Sequence, residues 1–340
     1  MKSRRADTPA LVVGVDAGGS STRAIVVDPG GGVHGYAVGA AGNPTSSGLE
    51  LAAANVVATV RAAIASVDAP RSGDSGRGGP SPVRIAVAMA GASTAPPEWL
   101  ARAFAAEGVP GEVALEADLA ALYLSGSRSA LGYAVLAGTG AIAARLVDHR
   151  IDAVSDGLGW LAGDDGSGFW VGHRVIRAVA ADLDRRGPAT ALTAPVLALV
   201  GESPDAAIEL GRMDALDRLM ADVYAMLPIR LARFAPLAFE AADAGDRVAA
   251  EIVADGARLL AGTLGAVLAD DHDAPVVLGG SVLAGQPRMA DTVRAELSRR
   301  GLRGPLTTVP DGVVGAALLA LEGAGHPVDD DIAERVRSGR

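Results

Sequence analysis

Residues 11–27, Leu11-Val12-Val13-Gly14-Val15-Asp16-Ala17-Gly18-Gly19-Ser20-Ser21-Thr22-Arg23-Ala24-Ile25-Val26-Val27, place two apolar runs on either side of a glycine turn. The runs Leu11–Val15 and Ala24–Val27 predict two strands of a hairpin, with one carboxylate, Asp16, where the first strand ends. Adjacent glycines let backbone N–H groups come close to a phosphate, and the hydroxyls of Ser20, Ser21 and Thr22 can donate to its oxygens. A carboxylate does not touch phosphate, but it can hold a hydrated Mg²⁺ that does. The segment differs from both common glycine-loop motifs. No Lys follows the glycines as in a Walker A loop, and no GxGxxG opens a helix. A Gly-Gly hairpin alone is also an ordinary turn, so its meaning depends on partners further along the chain.

Composition narrows the classes. A chain of 340 residues exceeds one average domain, which predicts two. Nearly half the residues are apolar and only 3% aromatic, so the cores are expected to be built from Ala, Val and Leu. A formal net charge of −10 argues against nucleic acid as the main partner, since phosphate backbones require a basic surface. It leaves room for ATP, which arrives with Mg²⁺ at a local site. The absence of cysteine excludes disulfides, thiolate nucleophiles, Cys-ligated zinc and iron–sulfur clusters. His34, His149, His173, His272 and His326 are scattered without metal-ligand spacing. Met1–Arg5 runs towards the first strand without a signal h-region, and no apolar stretch is long enough to span a bilayer. The expectation is a soluble, cytoplasmic protein with no membrane partner.

Further on, Gly32–Val38 predicts a third strand and Gly42-Asn43-Pro44 a loop. Leu51, Val56, Val57, Val60, Ile64 and Val67 fall at helical spacing. Asp68–Pro82 reads as a surface loop, and Val83–Ala90 as a strand ending in Ala90-Gly91-Ala92-Ser93. A helix over Glu98–Glu107, a strand over Val113–Leu115 and a helical stretch Leu119–Leu124 follow, with Asp118 at the last junction. The pattern then restarts: strand Tyr133–Leu136, turn Ala137-Gly138-Thr139-Gly140, second arm Ile142–Val147, and a third strand closing near Val154. This weak repeat predicts two similar βββαβαβα domains. Gly157–Gly172 reads as a long glycine-rich loop, 173–271 as almost wholly helical, and Val276–Leu278 as a strand ending in Gly279-Gly280-Ser281. A helix Met289–Arg300, a strand near Leu306, a helix Val313–Leu321 and a frayed polar end complete the chain.

Phosphoryl transfer needs phosphate holders, a metal-placing acid, a base and a nucleoside pocket. Asp16–Thr22, Asp118, Gly138-Thr139-Gly140 and Gly279-Gly280 supply these types in that order. The order and repeat resemble the actin/hexokinase/Hsp70 ATPase superfamily, and within it the N-acetylglucosamine kinase and BadF/BadG/BcrA/BcrD ATPase group, over roughly Leu11–Leu321. The most specific piece is Gly157-Leu158-Gly159-Trp160-Leu161-Ala162-Gly163-Asp164-Asp165-Gly166-Ser167-Gly168, which looks like the group's GxGxxxGDEGS signature. Gly42-Asn43-Pro44, Ala90-Gly91 and Ala241–Asp246 (similar to the group's AxxGD turn) support it.

The resemblance implies an α/β fold of two RNase H-like domains, each a mixed five-stranded sheet flanked by helices, with an interdomain active-site cleft. Domain one is expected over 1–128 plus the helix 312–323, and domain two over 129–311 with a helical insertion at 173–271. Asp118 matches the base that takes the proton of the sugar 6-hydroxyl, with Glu116 a weaker candidate and a helix N-cap the plain structural alternative. Asp16 matches the acid that orients Mg²⁺ through water. Gly18, Gly19, Ser20, Ser21 and Thr22 match the first phosphate loop, Gly138, Thr139 and Gly140 the second, and Gly279, Gly280 and Ser281 the adenosine-side turn. Asn43, Gly157, Leu158, Gly159 and Asp164, with Asp118, match sugar-contacting positions. Trp160 and Trp170 offer stacking faces or core packing; Arg145 and His173 read as structural. ATP and Mg²⁺ are the implied cofactors, a small sugar the substrate, and a homodimer the assembly.

Asp165 stands where the group usually has Glu, and Asp156 precedes the same loop. Three acids there suit a ligand ammonium, which favours glucosamine, and the arginine-rich bias resembles actinobacterial glucosamine kinases of the group. N-acetylglucosamine and glucose are the other acceptors. In the alternative arrangement, Asp164 contacts sugar hydroxyls whatever the sugar is, and Asp165 or Ser167 caps the helix from Phe169. Related ATPases with cysteine-ligated clusters and ROK kinases with a Cys-rich zinc motif are excluded by the missing cysteines. A sugar- or nucleotide-sensing protein on the same fold is the non-enzymatic reading.

Overall fold

The computed structural model describes residues 10–67, 82–91, 98–202, 208–209 and 212–340. Of the expected loop Asp68–Pro82, residues 68–81 lie outside the described residues, as do Ala92, Ser93 and the Met1–Arg5 segment. The chain divides into two compact units: residues 1–130, 148–150 and 311–340 form the first, and 131–147 and 151–310 the second.

In the first unit, β1 (Val12–Ala17), β2 (Ser21–Val27) and β3 (Val33–Ala40) form the predicted meander. A one-turn helix α1 (Pro44–Ser47) and α2 (Leu49–Ala65) lead to β4 (Arg84–Met89), α3 (Glu98–Ala106), β5 (Glu112–Ala117) and α4 (Asp118–Gly126). The sheet order is β3-β2-β1-β4-β5. β1 runs antiparallel to β2 and parallel to β4, with Val12 opposite Val27 on one side and Arg84 on the other. β1 and β4 are buried almost throughout, as strands in the middle of a sheet covered on both faces must be.

The second unit repeats this plan with β6 (Leu131–Ala137), β7 (Ala141–Val147) and β8 (Arg150–Asp156). Next come α5 (Gly168–Leu183), α6 (Thr193–Leu199), a two-residue pair β9 (Ile208–Glu209) and β10 (Arg212–Met213), and α7 (Asp214–Ala225). A 3₁₀ segment Pro228–Phe234, α8 (Ala235–Asp243) and α9 (Arg247–Gly265) complete the helical part. β11 (Val276–Gly279), α10 (Ser281–Ala284), α11 (Pro287–Arg299) and β12 (Leu306–Val309) close the unit. Its sheet order, β12-β11-β6-β7-β8, is the first sheet's order with the corresponding strands in place. The α/β class with two mixed five-stranded sheets flanked by helices is therefore as expected.

Two expectations are corrected. The loop after β8 is shorter than Gly157–Gly172, because α5 begins at Gly168, where the Ser167 side chain accepts from the Trp170 N–H and caps the helix. The C-terminal end is not frayed. After α12 (Val313–Gly323), residues Asp330–Ser338 form α13, N-capped by Asp329, with Ala333 and Val336 buried beside Val313 and Leu321. The polar face of α13 masked an apolar stripe at three-residue spacing.

Close packing of α12 on the sheet explains two glycines. A Cβ on Gly14 of β1 would stand 2.2 Å from the Ala317 nitrogen, and one on Gly315 would stand 1.9 Å from the Ala121 carbonyl oxygen of α4. We therefore expect Gly14→Ala to destabilise the protein by about 1–3 kcal/mol through overpacking. Chemical denaturation checks this, and an unchanged midpoint would show that α12 can back away without cost.

Candidate functional site

Within the first unit, the carboxylate of Asp16 sits at the end of β1 and is covered from the far end of the chain. The Gly312 N–H donates to Asp16 Oδ2 (3.0 Å), which ties the start of α12 to the strand end. Arg23, the cross-strand partner of Asp16 on β2, pairs through Nε with Asp311 (3.0 Å). Asp311 is itself buried; it also accepts from the Val313 N–H and pairs with Arg340. Burial is the main reason the Asp16 pKa is raised to about 6, and the charges of Asp311 and Asp118 push it further against the Gly312 N–H and Arg23. Asp16 and Asp118 are thus close enough to feel each other.

Asp118 is not an N-cap. Ala117 holds that position, and Asp118 is the first residue of α4, its Oδ1 accepting from the Leu119 N–H (2.8 Å). Burial raises its pKa. Glu116 also has a raised pKa, again from burial, but its charged neighbours are Arg84 and Glu322 rather than Asp16. It belongs to a different cluster.

The hairpin turn closes with the Gly18 N–H donating to Ser21 O (3.0 Å), and the Gly42 N–H donates to Gly18 O (3.1 Å). Gly19 and Ser20 are exposed at its tip. Ser21 Oγ accepts from Arg23 Nη1. Thr22 is a correction to the expected phosphate loop. Its side chain is fully buried and its hydroxyl donates to Ala40 O (2.7 Å), so the sheet uses it. Asn43 is buried next to this turn's partner Gly42, and its Oδ1 accepts from the Thr45 N–H to cap α1.

In the second unit, the glycine segments converge. The Gly138–Gly140 turn is buttoned onto α5, whose first N–H groups, Gly168 and Phe169, donate to the carbonyls of Gly138 (2.7 Å) and Thr139 (3.1 Å). Gly280 has φ +88°, and a Cβ there would lie 2.5 Å from Ala137 O, while a Cβ on Gly138 would meet Ser281 Oγ at 3.9 Å. The Gly138-Thr139-Gly140 and Gly279-Gly280-Ser281 turns are therefore adjacent. Asp164 joins them: it is buried, its Oδ1 accepts from the Ala141 N–H (3.0 Å), and a Cβ on Gly140 would stand 2.7 Å from that oxygen. Burial raises the Asp164 pKa, with the charges of Asp156 and Asp165 adding to it.

The loop 157–167 is organised by Asp156. Its carboxylate accepts from the N–H groups of Asp164 (2.8 Å) and Asp165 (3.0 Å), and at longer range from Leu158 (3.4 Å). Gly163 has to lack a side chain, since a Cβ would fall 2.0 Å from Asp156 Oδ1. Asp156, Gly157, Gly159 and Asp164 all have φ between 60° and 81°. The sequence signal was an Asp eight residues before the buried acid with glycines between; the hydrogen bonds were not legible. Leu158 and Leu161 are left 69% and 82% exposed on this loop. Arg145 pairs with Asp152 and Asp271 and is structural, as expected. His173 is not buried in packing: with Trp160, Asp165, Phe169 and Trp170 it lines a cavity of about 430 Å³.

Mg²⁺ suits the first-unit acids by chemistry. It prefers hard oxygen donors and keeps most of its waters, and Asp16 offers a carboxylate with only one oxygen engaged by Gly312.

Comparison with known proteins agrees with this architecture. Residues 13–320 match the model of the BadF/BadG/BcrA/BcrD ATPase family. An N-acetyl-D-glucosamine kinase of Dictyostelium discoideum is 26% identical over 320 residues, covering 92% of this chain and 98% of the relative. A crystal structure of a Chromobacterium violaceum protein named N-acetylglucosamine kinase superposes with a TM-score of 0.69 at 24% identity, over 92% of this chain and 99% of the other. The ROK family glucokinase of Streptomyces griseus, in complex with glucose and AMPPNP, has a TM-score of 0.54 at 19% identity, over 92% and 100%. Among the described residues, no helix is long and apolar enough to cross a membrane.

The raised Asp16 pKa has a consequence for stability. A carboxyl whose folded pKa (about 6) exceeds its unfolded value (3.8) binds its proton more tightly when folded. Stability contributed by the protonated form is therefore full below the unfolded pKa and is lost as pH rises from about 4 to 6. In metal-free buffer at pH 7, we expect Asp16→Asn to stabilise the fold by about 1–2 kcal/mol, after allowing for the group's partial solvent access. Melting curves at pH 4 and pH 7 test this: the gain should shrink at the lower pH, and a pH-independent difference would contradict it.

Proposed function

The chain belongs to the BadF/BadG/BcrA/BcrD ATPase family, and on that premise we propose that it is an ATP-dependent hexosamine kinase acting on the sugar 6-hydroxyl. The observation that carries the proposal is that two half-buried carboxylates, Asp16 at the end of β1 and Asp118 at the start of α4, lie in the first unit near enough for the charge of one to act on the other. In this reading one is a base at a strand–helix junction and the other a metal-placing acid at a glycine hairpin, the two carboxylates that phosphoryl transfer to a hydroxyl calls for. In this reading Asp118 accepts the proton of the attacking hydroxyl, and its raised pKa makes it a better proton acceptor than an ordinary carboxylate. Asp16 would hold Mg²⁺ through water, and the ion, when bound with ATP, neutralises charge on the transferring phosphoryl group. Gly18–Ser21 and Gly138–Gly140 would carry phosphate contacts through backbone N–H groups, Gly279–Ser281 the adenosine side, and Asn43 and Asp164 the sugar hydroxyls.

Glucosamine as the acceptor is supported by the acid-rich loop, yet two of its three acids are engaged. Asp156 takes three backbone N–H groups, and Asp164 is buried against Ala141. Only Asp165 is left for an ammonium. N-acetylglucosamine is the second reading, and the full-length Dictyostelium relative favours it.

ADP release measured over a panel of hexoses and hexosamines, with the product identified by NMR, tests the reaction. We expect a hexosamine 6-phosphate, and for Asp118→Asn a fall in kcat of at least ~10²-fold with little change in sugar KM. ATP turnover with no sugar phosphorylated would rule the proposal out.

A further inference from the structure

We propose that Arg340, which follows α13, is a positioning residue of the phosphoryl-transfer site: by holding Asp311 it keeps the Gly312 N–H on the Asp16 carboxylate. The inference rests on the hexosamine-kinase reading, in which Asp16 places the metal. It adds a residue from outside 13–320, the stretch that matches the family.

Asp311 directly precedes the Gly312 amide, and its side chain is only 3% exposed. Both of its oxygens are committed. Oδ1 accepts from the Val313 N–H (3.1 Å), and Oδ2 takes Arg23 Nε (3.0 Å) together with the Arg340 guanidinium. A carboxylate held at both oxygens cannot turn without breaking charge-assisted bonds, so the peptide joining it to Gly312 keeps one orientation. In that orientation the Gly312 N–H meets Asp16 Oδ2 at 3.0 Å and fixes the rotation of the carboxylate. Arg23 cannot do this alone, because its guanidinium is shared: Nη1 donates to Ser21 Oγ (3.0 Å) in the glycine hairpin. A second cation on Asp311 lets Arg23 keep both contacts. It also offsets the negative charge that Asp311 would otherwise turn on Asp16.

The place of Arg340 is fixed from several sides. Its guanidinium carbon lies 5.5 Å from the centre of the Tyr36 ring on β3, and Nη2 also donates to the Tyr36 hydroxyl at 3.4 Å. α13 brings it there. Arg335 Nε donates to Gly30 O (2.6 Å) and Arg337 Nε to Ser125 O (3.0 Å). A Cβ on Gly31 would stand 2.8 Å from Ile332 O, so the helix rests directly on the β2–β3 turn. For covering the core, Ala333 and Val336 suffice. Arg340 reaches past them to a buried charge beside the site acid.

Three variants of the full chain separate this role from packing. Arg340→Ala should lower kcat about tenfold and raise the Mg²⁺ concentration for half-maximal rate about tenfold, with sugar KM changed less than about twofold. Arg340→Lys keeps a cation on Asp311 and should recover most of kcat. Arg337→Ala cuts a comparable tie of α13 without touching Asp311; it should lower the melting temperature and leave kcat and the Mg²⁺ requirement unchanged. A double-mutant cycle reads the coupling with no sugar, ATP or metal present. In metal-free buffer at pH 7, Asp16→Asn should raise the folding equilibrium constant about fivefold more in the Arg340→Ala background than in the wild type. An active wild type whose cycle is additive, or an Arg337→Ala variant that loses as much kcat as Arg340→Ala, overturns this inference and leaves the kinase reading standing. A wild type that phosphorylates no sugar removes the kinase reading, and the catalytic role of Arg340 with it.

Discussion

One hydrogen bond joins residues 296 positions apart: the Gly312 N–H donates to the Asp16 carboxylate. Much of the first unit's site follows from it. The bond requires α12 to start directly over the end of β1, which is possible because Gly14 lets that helix approach the strand and Gly315 lets α4 approach the helix. Arg23 and Arg340 then compensate Asp311, which would otherwise place a second buried negative charge against Asp16. The outcome is an acid held in a partly desolvated position with one oxygen committed to the fold. Such an arrangement lowers stability in exchange for a placed, poorly hydrated charge, as functional sites commonly do.

The second unit solves a similar problem without a long-range clamp. Its buried acid, Asp164, stands on a loop that has no regular structure to hold it. Asp156 supplies the organisation by gathering backbone N–H groups that would otherwise need water. The strained φ values at Asp156 and Asp164 are tolerated because the carboxylate fixes both ends of the turn. Placing Asp164 against Ala141 then brings it to the turn that also packs beside Gly280 and Ser281.

Acidic residues close together in sequence need not form one acidic surface. Asp156, Asp164 and Asp165 read as three equivalent partners for a cation, but each carboxylate has a separate occupation. Asp156 faces inward to the loop backbone, Asp164 faces β7, and Asp165 faces the aromatic cavity. The difference arises because left-handed φ values at Asp156 and Asp164 turn consecutive side chains in unrelated directions. Thr22 carries the same lesson on a smaller scale, since its strand register turns it away from the hairpin tip and into Ala40 O.

Local patterning was enough for the two meanders, the glycine turns, the repeated succession of strands and a helix cap at Asp165 or Ser167, of which the structure uses Ser167, because period-two burial and glycine punctuation are properties of short segments. The resemblance carried by Gly157–Gly168 was equally local, and it pointed to the family that the match over residues 13–320 then identified. Other features depend on residues distant in sequence. These are the clamp between Asp16 and Gly312, the burial of Asp311 between two arginines, the docking of α13, and the cavity formed when Trp160 and Asp165 come to lie over Phe169, His173 and Leu231. Desolvation and charge pairing act through space, so the chemistry of each acid was set only when the chain brought its neighbours to it.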